Sequence, residues 1–175
     1  GAILPAADRV IDSRLNYRII VPEKATAAEA YAAQELAGEL RTIFTRPLVF
    51  SPGLDGPIDF LVGFGETAGA SGFPDWRRNR EHPGEFGLFR RGNQILFFGF
   101  DDPQVNPRSA KGQAGTLSSV YYFLTRKAQA AYFAPGKEGA RYVTDPEIDL
   151  PAGVEWVRPA YRLRGLNLET KEYSQ

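Results

Sequence analysis

The fold is decided by residues 85–100, which read EFGLFRRGNQILFFGF. Two apolar runs flank Gly92-Asn93, a residue pair suited to the positive φ angles of a tight two-residue turn. The segment therefore predicts a β-hairpin, with one strand on each side of the turn. In the second strand, Leu96, Phe98 and Phe100 alternate with their neighbours, so they are expected to line one face of a sheet.

A long amphipathic helix is predicted upstream of this hairpin. Thr26 and Glu29 form a capping box, because the hydroxyl and the carboxylate can each satisfy a backbone N–H group at a helix start. The helix should run to about Thr45, since Pro47 cannot continue it. Its apolar side chains keep three-and-four spacing, which predicts one buried face made of Ala30, Ala33, Leu36, Ala37, Leu40, Ile43 and Phe44.

Short strands and a second helix surround these two elements. The other predicted strands cover residues 17–21, 48–51, 58–63, 130–133, 141–143, 147–150 and 154–157. The second helix follows a loop and should bury a face made of Leu117, Val120, Tyr121, Leu124 and Ala128. Residues 66–84 are predicted to be irregular because glycine and proline recur there. The sequence therefore predicts an α+β domain with a mixed sheet that carries two helices.

The composition excludes several classes of function. The 175-residue chain has 21 Lys and Arg against 21 Asp and Glu, so no net charge attracts a nucleic acid or an anionic membrane. It has no Cys, which removes disulfides and thiolate metal sites. No apolar run approaches the roughly 18 residues that span a bilayer. We therefore expect no metal, no cofactor, no nucleic-acid partner and no membrane span.

Residues that often carry chemistry form no recognisable active site. Residues 63–69 read GFGETAG after a strand, but the third glycine comes one position late for a dinucleotide-binding fingerprint, which favours a tight turn. His82 is the one histidine of the chain. An enzyme built on His82 with Asp101 or Asp102 would lack the ordered arrangement of a catalytic triad. No catalytic residue is therefore predicted.

Trp76 is the first candidate for contact with a ligand or partner. Residues 76–80 read WRRNR, in which an aromatic ring and three arginines could stack on a sugar or base and bind an anion. The competing interpretation is a solvated loop, which is more common for a charged run in a neutral chain. A carbohydrate-binding or partner-binding module would use exposed aromatic residues such as Trp76 and Trp156.

Five segments together carry a resemblance to a known family. They are ATAAEAYAAQELAGEL (25–40), DFLVGFG (59–65), ILFFGFDD (95–102), GTLSSVYYFL (115–124) and AYFAPG (131–136). Their order, over about residues 15–160, resembles the non-catalytic N-terminal domain of glycoside hydrolase families 20 and 67, the β-N-acetylhexosaminidases and α-glucuronidases. The resemblance implies two roughly parallel helices on one face of the sheet, followed by a (β/α)8 barrel that holds the active site.

The end of the chain resembles the first strand of such a barrel. Residues 162–170 read RLRGLNLET, in which leucines alternate as in a strand. The family has R-G-L-x-L-D here, and this segment departs slightly from that pattern, with Asn167 at the variable position and Glu169 in place of the aspartate. The resemblance implies that Arg164 binds sugar hydroxyls, and a structural ion pair of Arg164 is an equally open alternative.

The expected domain organisation has three parts. Residues 1–14 are an N-terminal extension with a tag remnant, residues 15–159 the accessory domain, and residues 160–175 the start of a truncated catalytic barrel. The expected function is that of a non-catalytic accessory domain of a bacterial glycoside hydrolase, which packs against and positions the barrel of the same parent chain. A glycan is a further expected partner, and a periplasmic or secreted location is expected. The alternative is the binding module with exposed aromatics.

Overall fold

The computed structural model of the protein describes residues 10–11, 17–45, 58–75, 85–102, 106–108, 114–132 and 137–158. Several sequence predictions fall outside these ranges, namely the strand at 48–51, the candidate residues Trp76, His82 and Arg164, and the start of the barrel at 160–175.

A mixed five-stranded sheet forms the centre of the described fold. In spatial order its strands are β2 (Tyr17–Ile20), β3 (Ile58–Val62), β5 (Gln94–Gly99), β4 (Phe86–Arg91) and β9 (Gly153–Val157). The β2–β3 and β3–β5 pairs are parallel, whereas β5–β4 and β4–β9 are antiparallel. The hairpin predicted at residues 85–100 is confirmed, and Gly92 in its turn has a φ of 56°.

Two small antiparallel pairs flank this sheet. They are β1 (Val10–Ile11) with β8 (Ile148–Asp149), and β6 (Ala131–Tyr132) with β7 (Ala140–Arg141). A 3₁₀ turn over Lys137–Gly139 precedes β7. Ile11 and Ile148 are buried in the main core, so the first pair closes one side of it.

The first helix, α1 (Ala27–Ile43), begins at the predicted capping box. The Thr26 hydroxyl accepts a hydrogen bond from the Glu29 N–H at 3.1 Å, and the Glu29 carboxylate accepts one from the Thr26 N–H at 3.0 Å. Leu36, Leu40, Ile43 and Phe44 are buried as predicted, and Ala33 packs against the core. The prediction for Ala30 is wrong, because the helix buries Ala28 and Ala32 and leaves Ala30 exposed.

The second predicted helix is confirmed, and it changes its winding halfway. It begins as α3 (Gly115–Tyr122) and continues as a π-helical turn over Phe123–Lys127. The wider turn places two consecutive side chains, Phe123 and Leu124, in the core, where both are fully buried. Val120 and Ala128 are buried as predicted.

The two long helices pack on the same face of the sheet. There, Leu36 and Leu40 of α1 and Val120 of α3 share one core with Phe60 and Phe97 of the central strands. The opposite face carries a second, smaller core made of Leu61, Ala68, Phe73, Leu96 and Phe98.

A short helix covers part of this second face. It is α2 (Glu66–Ala70), and it supplies Ala68 to the second core, while Phe73 follows directly after it. The prediction that residues 66–84 are wholly irregular is therefore wrong at its start. Five residues with one buried position are too short for a helical period to show in the sequence.

Candidate functional site

Four tyrosines and two glutamates meet where α1, α3 and the β6–β7 pair adjoin. We call this group the tyrosine cluster; its members are Tyr31, Glu35, Glu39, Tyr121, Tyr132 and Tyr142. All six side chains are half-buried, so each packs against the domain and keeps some contact with solvent. The cluster is therefore a surface that the fold builds and another molecule can reach.

The cluster begins as one row of side chains on α1. Tyr31, Glu35 and Glu39 are spaced four residues apart, which places them one above another on the same side of a helix. The buried row of α1, with Ala32 and Leu36, lies one residue further round the helix. The row of Tyr31, Glu35 and Glu39 therefore lies at the edge of the core, where side chains from neighbouring elements can contact it.

Tyrosine hydroxyls from distant parts of the chain bind this row. The Tyr121 hydroxyl donates a hydrogen bond to Glu35 Oε2 at 2.9 Å, and the Tyr132 hydroxyl donates one to Glu39 Oε2 at 2.8 Å. Burial raises the pKa of Tyr31 and Tyr142, and the nearby Glu35 and Glu39, respectively, raise it further. Each carboxylate therefore accepts a hydrogen bond from one tyrosine hydroxyl and lies near a second tyrosine.

The rings of the cluster hold one another in place. The ring centroids of Tyr121 and Tyr132 are 6.3 Å apart at an interplanar angle of 88°, and those of Tyr132 and Tyr142 are 6.4 Å apart at 87°. These are edge-to-face contacts, the arrangement that aromatic pairs favour. The cluster is consequently rigid, and it does not offer a flat stack of parallel rings.

The electrostatics of the cluster keep its tyrosines protonated. Burial raises the pKa of Tyr121, Tyr132 and Tyr142, and the neighbouring glutamates raise it further. The phenols therefore remain hydrogen-bond donors throughout the physiological pH range. The guanidinium carbon of Arg108 lies 5.7 Å from the centroid of the Tyr31 ring, which is a cation–π distance.

Three carboxylates are buried in the described part of the chain, and each has a structural role. Glu29 closes the capping box of α1. Asp59 forms an ion pair with Arg18 of the neighbouring strand, including a contact from an Arg18 terminal nitrogen at 3.0 Å. Glu85 accepts from Arg158 Nε at 2.7 Å.

Glu155 ties the π-helical turn to the edge strand β9. Its carboxylate accepts a hydrogen bond from the Tyr122 hydroxyl at 2.7 Å and lies 3.0 Å from Lys127 Nζ. Burial, together with the hydrogen bond to Glu155, raises the pKa of Tyr122 to about 12. These three side chains connect two layers of the fold.

Asp101, a candidate partner of His82, binds the first turn of α3. Its carboxylate accepts hydrogen bonds from the Thr116 N–H at 3.0 Å and from the Thr116 hydroxyl at 2.7 Å. It thereby satisfies a free N–H group in the first turn of the helix. Burial raises the pKa of Asp101, and the two hydrogen bonds offset only part of that effect.

The raised pKa of Asp101 predicts a pH dependence of stability. Folding favours the protonated form of Asp101. The stabilisation that follows from this is therefore complete below the unfolded pKa of about 3.9, and it is lost as pH rises through the higher pKa of the folded state. Relative to Asp101→Asn, the wild-type free energy of unfolding should fall with increasing pH, by at most about 1.4 kcal/mol per pH unit for one proton. Urea titrations of both proteins at several pH values from about 3.9 upwards measure this fall. A difference in unfolding free energy that stays constant with pH would contradict the raised pKa of Asp101.

The glycine-rich segment after β3 forms a tight turn, as predicted. Gly63 has a φ of 90°, and a Cβ there would lie 2.6 Å from the Glu29 carboxyl carbon. A Cβ on Gly65 would lie 2.8 Å from Pro22 Cβ. The depression beside this turn has a cavity volume of about 10 Å³, far below the roughly 300–1,000 Å³ typical of ligand pockets. The glycines serve close packing, and α2 follows them where no helix was expected.

Trp156 is half-buried and packs on the second core. Its ring centroid lies 4.9 Å from that of Phe98 in an edge-to-face contact. Gly87 makes room for this pair, since a Cβ there would lie 2.6 Å from Phe98 Cζ. The interpretation of Trp156 as an exposed aromatic is therefore corrected, because its ring serves packing.

The described residues form neither a metal-ion site nor a membrane-spanning helix. Within them, no group of three or more His, Cys, Asp or Glu side chains is arranged to hold a metal ion. None of the helices they form has the length and apolar character needed to cross a membrane.

The sequence predictions did not include the tyrosine cluster. The four-residue spacing of Tyr31, Glu35 and Glu39 was a signal that could have identified the row on α1. Its partners Tyr121 and Tyr132 lie 86 and 93 residues further along the chain from the glutamates they bind.

A scan against models of protein families finds no match for this chain, and neither does a search of curated proteins.

Proposed function

We propose that this chain is a non-catalytic accessory domain of a bacterial glycoside hydrolase, which packs against and positions the catalytic (β/α)8 barrel of the same parent chain. The order of its segments, which resembles the N-terminal domains of families 20 and 67, supports the proposal. The α+β architecture, with both long helices on one face of a mixed sheet, is compatible with it. In this proposal the parent enzyme is periplasmic or secreted.

The observation that carries the non-catalytic part is the use of the buried carboxylates. Glycosidases generally use two carboxyl groups that face an open cleft and differ in protonation. Here Glu29, Asp59 and Glu85 are each held by a capping interaction or an arginine. Each of these carboxylates has an internal hydrogen-bond or ion-pair partner. This favours a structural role for the domain over a catalytic one.

Deletion of the domain from the parent enzyme tests the positioning role. The parent reading frame would be expressed whole and without residues 1–159, and glycoside hydrolysis and thermal melting of both proteins would be measured. We expect the shortened enzyme to melt at a lower temperature, because the barrel surface that contacts this domain becomes exposed. A shortened enzyme with unchanged melting temperature and turnover would contradict the proposal.

The alternative function is a carbohydrate-binding module. The observation that favours it is the tyrosine cluster, in which aromatic rings and two carboxylates are partly exposed. Calorimetric titration of the chain with a panel of polysaccharides separates the two functions. Heat of binding to a glycan that disappears in Tyr142→Ala would favour the module, and no heat with any glycan would favour the accessory domain.

A further inference from the structure

We propose that the tyrosine cluster is the surface on which the domain binds an arginine-bearing segment of its catalytic partner. The inference rests on the proposed function for the identity of the partner, and it adds the contact surface and its chemistry. It is carried by three features of the cluster: two glutamates that form no ion pair with a described lysine or arginine, aromatic rings that accept a guanidinium, and carboxylates with spare hydrogen-bonding capacity.

The first feature is a local excess of negative charge. Glu35 and Glu39 lie one helical turn apart, and within the described residues neither forms an ion pair with a lysine or arginine. Covering two carboxylates without a cation is costly, because they lose water and gain no opposite charge. A partner that covers this surface must therefore bring positive charge with it.

The second feature is the aromatic surround, which suits arginine. A guanidinium is planar and weakly hydrated, so it can stack on a tyrosine ring while it donates hydrogen bonds to a carboxylate. The chain already uses this contact once, since Arg108 lies over the Tyr31 ring at the edge of the cluster. A second guanidinium placed by a partner would meet the same combination of ring and carboxylate.

The third feature is the remaining capacity of the carboxylates. An ionised carboxylate offers roughly four lone-pair positions, and Glu35 and Glu39 each use one of them to accept a hydrogen bond from a tyrosine hydroxyl. A glutamine would accept hydrogen bonds from the same hydroxyls through its carbonyl oxygen. Internal packing alone therefore does not require the charge, whereas binding of arginine does.

The edge-to-face rings make this surface ready for binding. The rings of Tyr121, Tyr132 and Tyr142 are fixed by their mutual contacts, and the hydroxyls of Tyr121 and Tyr132 are also held by hydrogen bonds. Little side-chain entropy is left to lose when a partner binds, which reduces the cost of association. Tyrosine and arginine are also enriched at the centres of protein interfaces.

The test uses this chain and the remainder of the parent enzyme, produced separately, in calorimetric titrations at a temperature at which circular dichroism shows both to be folded. The double variant Glu35→Gln/Glu39→Gln keeps the size of both side chains and the acceptors for the tyrosines, and it removes the charge. We expect it to bind the partner about tenfold or more weakly than the wild type, with a weaker dependence on salt. The control Glu138→Gln/Glu147→Gln removes the same charge from two exposed positions and should bind as the wild type does.

The outcomes separate this inference from the proposed function. If the wild-type chain and its partner do not associate, both are overturned. If they associate and the Glu35→Gln/Glu39→Gln variant binds equally well, the proposed function stands and the tyrosine cluster is not the binding surface. Thermal melting shows whether the double variant is folded. If it is not, the wild type decides: affinity that is unchanged between about 50 and 500 mM NaCl would overturn the inference.

Discussion

Replacing Phe60 with alanine is expected to cost about 3–5 kcal/mol of unfolding free energy, the range for a large aromatic side chain in a core. Phe60 is fully buried in the central strand β3. Its ring centroid lies 5.6 Å from that of Phe123 and 6.0 Å from those of Tyr17 and Phe97. Removing the ring therefore leaves a cavity where the sheet and the second helix meet.

Urea denaturation followed by circular dichroism measures this loss. Small domains have a total stability of about 5–15 kcal/mol, so a large part of it would disappear and the variant could be mostly unfolded at 37 °C. Val21→Ala is the control, because Val21 is 42% exposed and should change stability by less than about 0.5 kcal/mol. A Phe60→Ala variant as stable as this control would show that the described core is wrong.

Replacing Gly115 with alanine is expected to destabilise the domain by about 3 kcal/mol, the upper range for added atoms in a tightly packed site. A Cβ at Gly115 would lie 2.5 Å from the Phe100 backbone nitrogen and 2.8 Å from the Gly99 carbonyl carbon. Both are backbone atoms and cannot rotate away. The helix would have to move off the strand end, which breaks the 2.9 Å hydrogen bond from the Gly115 N–H to the Phe100 carbonyl.

Gly38→Ala is the matched control for this prediction. Gly38 lies inside α1, and a Cβ built there meets no atom within 4 Å. Alanine favours a helix over glycine, so this variant should be more stable by about 0.5–1 kcal/mol. The same substitution is thus expected to have opposite signs at the two positions. If Gly115→Ala were also stabilising in urea titrations, the close approach of α3 to β5 would be refuted.

Local signals in the sequence predicted much of the fold. The capping box at Thr26 and Glu29 and the turn at Gly92-Asn93 each depend on residues within one turn of the chain, and both are present in the structure. The burial of Ala30 was not predicted correctly, because the helix buries Ala32 in its place. An alanine side chain is so small that burying Ala30 or Ala32 changes the hydrophobic free energy little, and tertiary packing decides between them.

The candidate site was less predictable because it is built from long-range contacts. Tyr31 and Glu35 show only the spacing of one helix edge, while Tyr132 and Tyr142 reach the same place through the β6–β7 pair. Nothing in the local sequence specifies that meeting. For Trp156 the sequence suggested a ligand contact that the fold does not require. The sheet register pairs Trp156 with Gly87 on the neighbouring strand, and its ring packs against Phe98 of the second core.

We propose that this chain supports a glycoside hydrolase without being one. This is tested by measuring the release of p-nitrophenol from a panel of aryl glycosides, including N-acetylglucosaminide and glucuronide, by this chain and by the whole parent protein under the same conditions. We predict that the parent hydrolyses at least one substrate and that the chain alone releases no more product than buffer does. Turnover by the chain alone at a rate comparable to that of the parent would contradict the claim.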